Sequence, residues 1–230
     1  MARLHIFGGD PARNSSDAVA VIGLGRFGAS LALELMAGGT EVLGIDPVES
    51  VVQDLNGKLT HVVRADATGE EVLRQLGVAE YGRVVVAIGS HLEASILTTS
   101  LLLRFGVKDI WAKAVSEAHG TILQQLGVPH VVFPERDMGR RVAHLVRGSM
   151  QDYVDLEAGY ALIKTRPPSS LIGKSLGQAD VRKAHGVTIV ARHPDGGEWE
   201  DATPSTVLAS GDLVLVTGRK RRVEAFAALT

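Results

Sequence analysis

Residues 18–28 read Ala-Val-Ala-Val-Ile-Gly-Leu-Gly-Arg-Phe-Gly, and this stretch decides the fold. The apolar run over residues 18–22 predicts a buried strand, and Leu31, Leu35 and Met36 repeat with the period of a helix. Between them lies GxGxxG, in the strand–turn–helix order that makes it a dinucleotide-binding fingerprint. Each glycine has a physical task. Gly23 permits the tight turn, Gly25 lets backbone N–H groups come close to phosphate, and Gly28 lets the helix pack on the strand. The helix start adds unpaired N–H groups and the positive end of a dipole, so phosphate is its natural ligand.

The next apolar run, Val42-Leu43-Gly44-Ile45, ends in Asp46. That is roughly the 20-residue spacing at which a carboxylate accepts the hydroxyls of an adenosine ribose. It would also repel a ribose 2′-phosphate. Further along, strands are expected at 59–64, 83–88, 109–114 and 131–133. Helices are expected at 48–55, 70–76, 92–105, from Ser116 to Gly127, and after Pro134, where Met138, Val142, Leu145 and Val146 recur. Strand and helix alternate six times with short connections. The expected fold is therefore α/β, a Rossmann-like doubly wound parallel sheet with its ligand crevice beyond the strand C-termini. The loops at Gly23, Asp46, Asp66 and Gly89 fall at that edge.

The pattern changes near Gly148. A strand at 160–164, a helix over 175–184, strands at 187–192 and 212–217 and a short last helix predict a smaller α+β module. The expected division is a disordered lead-in over 1–17, a nucleotide-binding domain over 18–148, a linker over 149–158 and a second domain over 159–230. A module of that size is small enough that a partner surface could complete its core.

Composition narrows the function. The net charge of −2 provides no global field for nucleic acid or an anionic membrane, and no nucleic-acid partner is expected. The absence of cysteine removes disulfides, thiolate metal sites and thiol catalysis. No apolar stretch approaches the ~18 residues of a membrane span.

Several residues are candidates for chemistry, each beside a plainer reading. Arg26 inside the phosphate loop suggests negative charge beyond a pyrophosphate, which its planar fork would suit; otherwise it is a solvated helix-start residue. Glu135, after Pro134, is either a first-turn acid favoured by the helix dipole or a magnesium-type ligand beside phosphates. Asp66 could meet adenine or ribose, or serve only as a turn former. Lys113, at the end of the fifth strand, could reach phosphates. His91 and His144 lie on expected helices with no metal-ligand spacing, and no Ser/His/Asp signature or hydride-transfer acid stands out. Arg219-Lys220-Arg221-Arg222 is a solvated helix start or, since four cations oppose the dipole, a partner-facing patch.

From about Asp17 onward the chain resembles KtrA/TrkA-type regulatory subunits of bacterial potassium uptake systems, built from RCK (KTN) domains. The resemblance is carried by residues 21–28, Asp46, Asp66-Ala67-Thr68, residues 85–89, residues 110–114 and residues 133–139. In the second domain, residues 171–176, Asp180-Val181-Arg182 and residues 211–218 carry it.

The resemblance implies that the first domain binds ATP or ADP, with Mg2+ beside the phosphates. The cofactor-binding residues would be Gly23, Gly25, Arg26, Phe27, Gly28, Asp46, Asp66, Ala67, Thr68, Ile88, Gly89 and Lys113. Arg26 would contact a terminal phosphate, its own or a neighbouring subunit's, and Glu135 would help hold the cation. Dimers would assemble into an octameric ring, docked on the cytoplasmic face of a KtrB/TrkH-like potassium-conducting membrane subunit. ATP and ADP would favour different ring shapes. A second ligand implied in some members is cyclic di-AMP, whose contacts map to Leu176, Val181, Arg182, Thr188 and Pro204. Thr188 stands where an amide is familiar, and Gly197 where a histidine can occur. On this reading the protein is not an enzyme. The competing readings are an NAD(H)-dependent oxidoreductase, for which the second domain is small, and an NAD(H)-responsive regulator.

Overall fold

The structure is a computed structural model and describes residues 17–229. The lead-in expected over residues 1–17 lies outside the described residues except for Asp17. The chain divides into two compact units, with the boundary between Glu135 and Arg136.

In the first unit the strands are β1 (Val19–Ile22), β2 (Val42–Asp46), β3 (His61–Arg64), β4 (Arg83–Val86), β5 (Ile110–Lys113) and β6 (His130–Val132). They form one sheet in the order β3-β2-β1-β4-β5-β6, and every pairing is parallel. Helices α1 (Arg26–Ala37), α2 (Glu49–Leu55), α3 (Glu70–Gln75), α4 (Leu92–Arg104) and α5 (Glu117–Gln125) connect them. β1 is central and buried at all four positions. A strand covered on both faces reads as a continuous apolar run rather than an alternation, which is how residues 18–22 appear in the sequence. The two apolar clusters of this unit divide β1 between them, Ala20 and Ile22 in one and Val19 and Val21 in the other. Gly44 sits mid-strand in β2 because a Cβ there would stand 2.8 Å from Leu59 and 2.9 Å from Leu24.

The chain order reverses between β1 and β4, which both leave the sheet centre towards their C-termini. That switch point is where a doubly wound sheet opens its ligand crevice. The sequence expectation for this unit is met in sheet type and element order.

The second unit takes in most of α6 (Pro134–Arg147), then β7 (Met150–Asp155), β8 (Tyr160–Thr165), α7 (Leu176–Ala179), α8 (Val181–His185), β9 (Val187–His193), β10 (Glu200–Asp201), β11 (Leu213–Arg219) and α9 (Lys220–Ala227). Its sheet has the order β10-β9-β11-β8-β7 and is antiparallel. Val214, Val216, Val187, Ile163, Val223 and Phe226 form its core.

Three expectations are corrected here. The segment 149–158, expected as a linker, contains the edge strand β7. A bulge between Met150 and Asp152 breaks its two-residue alternation, so the buried Met150 and Tyr153 do not read as one face. The helix expected over 175–184 is two short helices. Asp180, in the left-handed conformation with φ 42°, ends the first and begins the second. Asp is among the few non-glycine residues that tolerate that region. Finally, α6 was expected to close the first domain, yet its body groups with the second unit: Leu145 packs on that core and His144 stacks on Tyr153 at 3.9 Å.

Candidate functional site

The glycine loop is shaped by contacts that admit no side chain. Gly23 has φ +90°, and a Cβ there would lie 3.0 Å from the Ile88 amide nitrogen. A Cβ on Gly28 would lie 1.9 Å from the Gly23 carbonyl oxygen. Gly25 differs. A Cβ there would meet nothing within 4 Å, so packing of the protein itself does not require glycine. Gly25 caps α1 with extended backbone and no side-chain acceptor, leaving the first N–H groups of a 12-residue helix open at the crevice. This is the fit expected of a phosphate cradle, with donors and a dipole end facing space that a side chain would fill.

Asp46 is buried, at 7% exposure, and both its oxygens are engaged. Oδ2 accepts the Leu24 N–H at 2.7 Å and Oδ1 accepts the Val48 N–H at 2.9 Å. The carboxylate therefore ties the glycine loop to the end of β2. Each oxygen retains a second lone pair for a ribose hydroxyl.

In the next loop, Asp66 Oδ1 accepts both the Thr68 N–H at 2.9 Å and the Thr68 hydroxyl at 2.7 Å. These bonds, the backbone one foremost, hold the Asp66 carboxyl below its ordinary value. Asp66 is thus a turn former, and its exposed carboxylate still faces solvent. Thr98 of α4 fixes this loop from beneath, its hydroxyl donating to the Ala67 carbonyl at 3.1 Å. The sequence reading missed Thr98; its signal was a run of polar residues, Ser95, Thr98 and Thr99, on the buried face of an apolar helix.

At the other side of the switch point Lys113 is 8% exposed and reaches past Gly89, whose Cβ would stand 3.2 Å from Nζ. Nζ donates to Glu135 Oε1 at 2.5 Å and lies 5.6 Å from the centre of the Phe27 ring. Glu135 is largely exposed, so the pair joins a buried cation to a solvated carboxylate. The Glu135 carboxyl is held below its ordinary value of 4.5, chiefly by the Lys113 hydrogen bond, with smaller contributions from the charges of Lys113 and Arg26. The pair's contribution is complete above that ordinary value and is lost as pH falls through the lowered one.

Arg26 opens α1 and is exposed, and its guanidinium makes no hydrogen bond or ion pair among the described residues. Gly120 in α5 is a further residue the sequence reading passed over. A Cβ there would lie 2.3 Å from the Phe133 ring, so the missing side chain seats Phe133 and with it the segment from which Glu135 emerges.

The predicted crevice residues are therefore contiguous. Gly23 meets Ile88, Gly28 meets Gly23, Gly89 and Phe27 adjoin Lys113, and Lys113 holds Glu135. The β2 and β3 loops join them through the Gly23 N–H to the Ile45 carbonyl and the Ala65 N–H to the Asp46 carbonyl. Among the described residues no three His, Asp or Glu side chains gather as a metal site. A divalent cation beside Glu135 would take its remaining ligands from phosphate and water, as magnesium commonly does.

In the second unit, Leu176, Val181, Arg182, Thr188 and Pro204 all line one pocket of about 290 Å3. Arg182 Nε donates to the Thr188 hydroxyl at 3.2 Å. No helix of the described residues is long and apolar enough to cross a membrane.

A nucleotide-type Rossmann unit followed by a small antiparallel α+β unit defines the class. Residues 19–134 match the TrkA-N domain family and residues 160–230 the TrkA-C domain family. The chain is 36% identical over 208 residues to Ktr system potassium uptake protein C of Bacillus subtilis (strain 168), covering 90% of this chain and 94% of that one. It is 37% identical over 202 residues to Ktr system potassium uptake protein A of Vibrio alginolyticus, covering 86% and 91%. The chain belongs to this family of TrkA-N/TrkA-C potassium uptake proteins. Among solved structures, the GsuK RCK domain superposes with a TM-score of 0.64 at 18% identity, over 91% of this chain and 47% of that one. The GsuK channel bound to NAD gives 0.63 at 19% identity, over 92% and 38%. The chain thus spans less than half of those solved chains, and the likeness is one of fold.

Proposed function

We propose that this protein is a non-enzymatic regulatory subunit that binds ATP or ADP and gates a membrane potassium-conducting partner from the cytoplasmic side. The observation that carries the reading is Arg26. A cation with no hydrogen bond or ion pair among the described residues stands at the mouth of a glycine-shaped phosphate cradle, near the Lys113–Glu135 pair. A dinucleotide's pyrophosphate needs only the loop N–H groups, whereas a terminal phosphate has charge left for a guanidinium. Glu135 would face a magnesium ion shared with that phosphate. Dimers would assemble into an octameric ring, and ATP and ADP would bias the partner only if they bind the ring's alternative shapes with different affinity.

Calorimetric titration of ATP, ADP, NAD and NADH, with and without magnesium, tests this. Wild type is expected to prefer ATP and ADP, with magnesium tightening ATP. Arg26→Ala is expected to weaken ATP by about tenfold or more, ~1.4 kcal/mol, and NADH much less. Equal losses, or a preference for NADH indifferent to magnesium, would move the function towards redox sensing or NAD(H) chemistry.

A second ligand is supported by the pocket at Leu176, Val181, Arg182, Thr188 and Pro204. We assign it to cyclic di-AMP, with Arg182 as its phosphate contact. Arg182→Ala should lower cyclic di-AMP affinity by roughly tenfold or more and leave ATP affinity unchanged. Binding of cyclic di-AMP that ignores Arg182 would place the ligand elsewhere.

A further inference from the structure

We propose that the second unit carries another site, for a small organic phosphate, lined differently from the Leu176–Pro204 pocket. Its volume, about 410 Å3, lies within the range of small-molecule sites. The wall supplies Arg166, Ser169, Ser210 and Gln151, with Pro167 and Ile172 among its apolar residues, and none of the described residues that line it is Asp or Glu. Arg166 has no ion pair, and the side chains of Ser169, Ser210 and Gln151 make no hydrogen bond among the described residues. One guanidinium, two hydroxyls and an amide are thus all available as donors, with no competing Asp or Glu side chain among the described lining residues. That combination suits a compact oxyanion with several acceptor oxygens.

The donors are held by the fold rather than merely exposed on it. Arg166 lies between Thr165, which is fully buried and donates to the Ser149 carbonyl at 3.3 Å, and the buried Pro167-Pro168. A residue before proline is confined to extended backbone, so the direction of the Arg166 Cβ is restricted. Ser210 sits in a turn completed by Gly211 at φ +100°. The buried Asp212 locks that turn, its Oδ2 accepting the Ala209 N–H at 2.8 Å. Pre-set donors give up less entropy when a ligand arrives. The apolar floor argues for an organic ester over bare phosphate, since only the ester covers Pro167 and Ile172.

The test uses the full chain with ADP present, titrating phenyl phosphate calorimetrically. Saturable binding with one site per chain is expected. Arg166→Gln should weaken it tenfold or more, Ser210→Val should weaken it less, and ADP affinity and melting temperature should stay unchanged in both variants. Inorganic phosphate should bind at least tenfold more weakly than the ester. The proposal is overturned by absence of saturable binding, by phenyl phosphate binding that is indifferent to both substitutions, or by inorganic phosphate binding as well as the ester.

Discussion

Gly28→Ala is expected to destabilise the first unit by about 3 kcal/mol, the upper part of the usual range for forced overpacking. Helix propensity alone would favour alanine there by about 0.8–1.0 kcal/mol, so the sign of the measured change decides between local and tertiary control. Tertiary control should prevail. The new Cβ would stand 1.9 Å from the Gly23 carbonyl oxygen, a backbone atom with no rotamer to step aside. Gly23 in turn is held by the Ile45 carbonyl at 2.8 Å, so the loop cannot relax without breaking that bond. At ~2–4 °C per kcal/mol, the melting temperature should fall by roughly 6–12 °C.

Gly25→Ala is the matched control, because its Cβ would meet nothing within 4 Å. Its stability should change by less than about 1 kcal/mol, the scale of an exposed cap substitution. ATP and ADP affinity should nevertheless drop by about tenfold or more, since the methyl would hold phosphate off the helix N–H groups. Thermal denaturation and calorimetry on the two variants separate the roles. A Gly25→Ala protein that binds nucleotide as wild type does would show that phosphate does not sit on this loop.

Asp46→Ala should cost about 3 kcal/mol and abolish measurable nucleotide binding. Hydrogen bonds to a charged group contribute ~1.5–3 kcal/mol each, and a buried donor left alone carries its desolvation penalty. The substitution would remove the acceptor of both the Leu24 and the Val48 N–H groups. Asp46→Asn keeps one oxygen and should recover part of the stability while still weakening ribose recognition. Chemical denaturation supplies the first measure and ADP titration the second. An Asp46→Ala protein within 1 kcal/mol of wild type would mean that these two bonds do not hold the loop.

Much of the crevice was legible because its chemistry is local. Gly23 and Gly28 mark positions that the packed loop leaves to glycine, Gly25 completes the fingerprint between them, and Asp46 follows a strand at the spacing of one βαβ step. Arg26 stood out as a charge where none is needed for packing. Lys113 was only a weak candidate in the chain. Its partner Glu135 comes from the segment after the next strand, and their contact exists only once β5 and β6 lie side by side. Thr98 and Gly120 were passed over for the same reason: one braces a loop from another helix, the other makes room for a ring. The strand β7 was hidden differently, by a bulge that shifts its alternation within six residues.

By itself, then, the sequence determined the doubly wound sheet, the glycine loop and the family, because unbroken apolar strands, helical periods and glycine turns are properties of short stretches. Only the tertiary structure decided that Asp46 buttresses the glycine loop, that Lys113 pairs with Glu135, and that α6 groups with the second unit. It also decided that Arg166 and Ser210 share one cavity. Each of these depends on which distant segments meet, and no period or spacing along the chain records that.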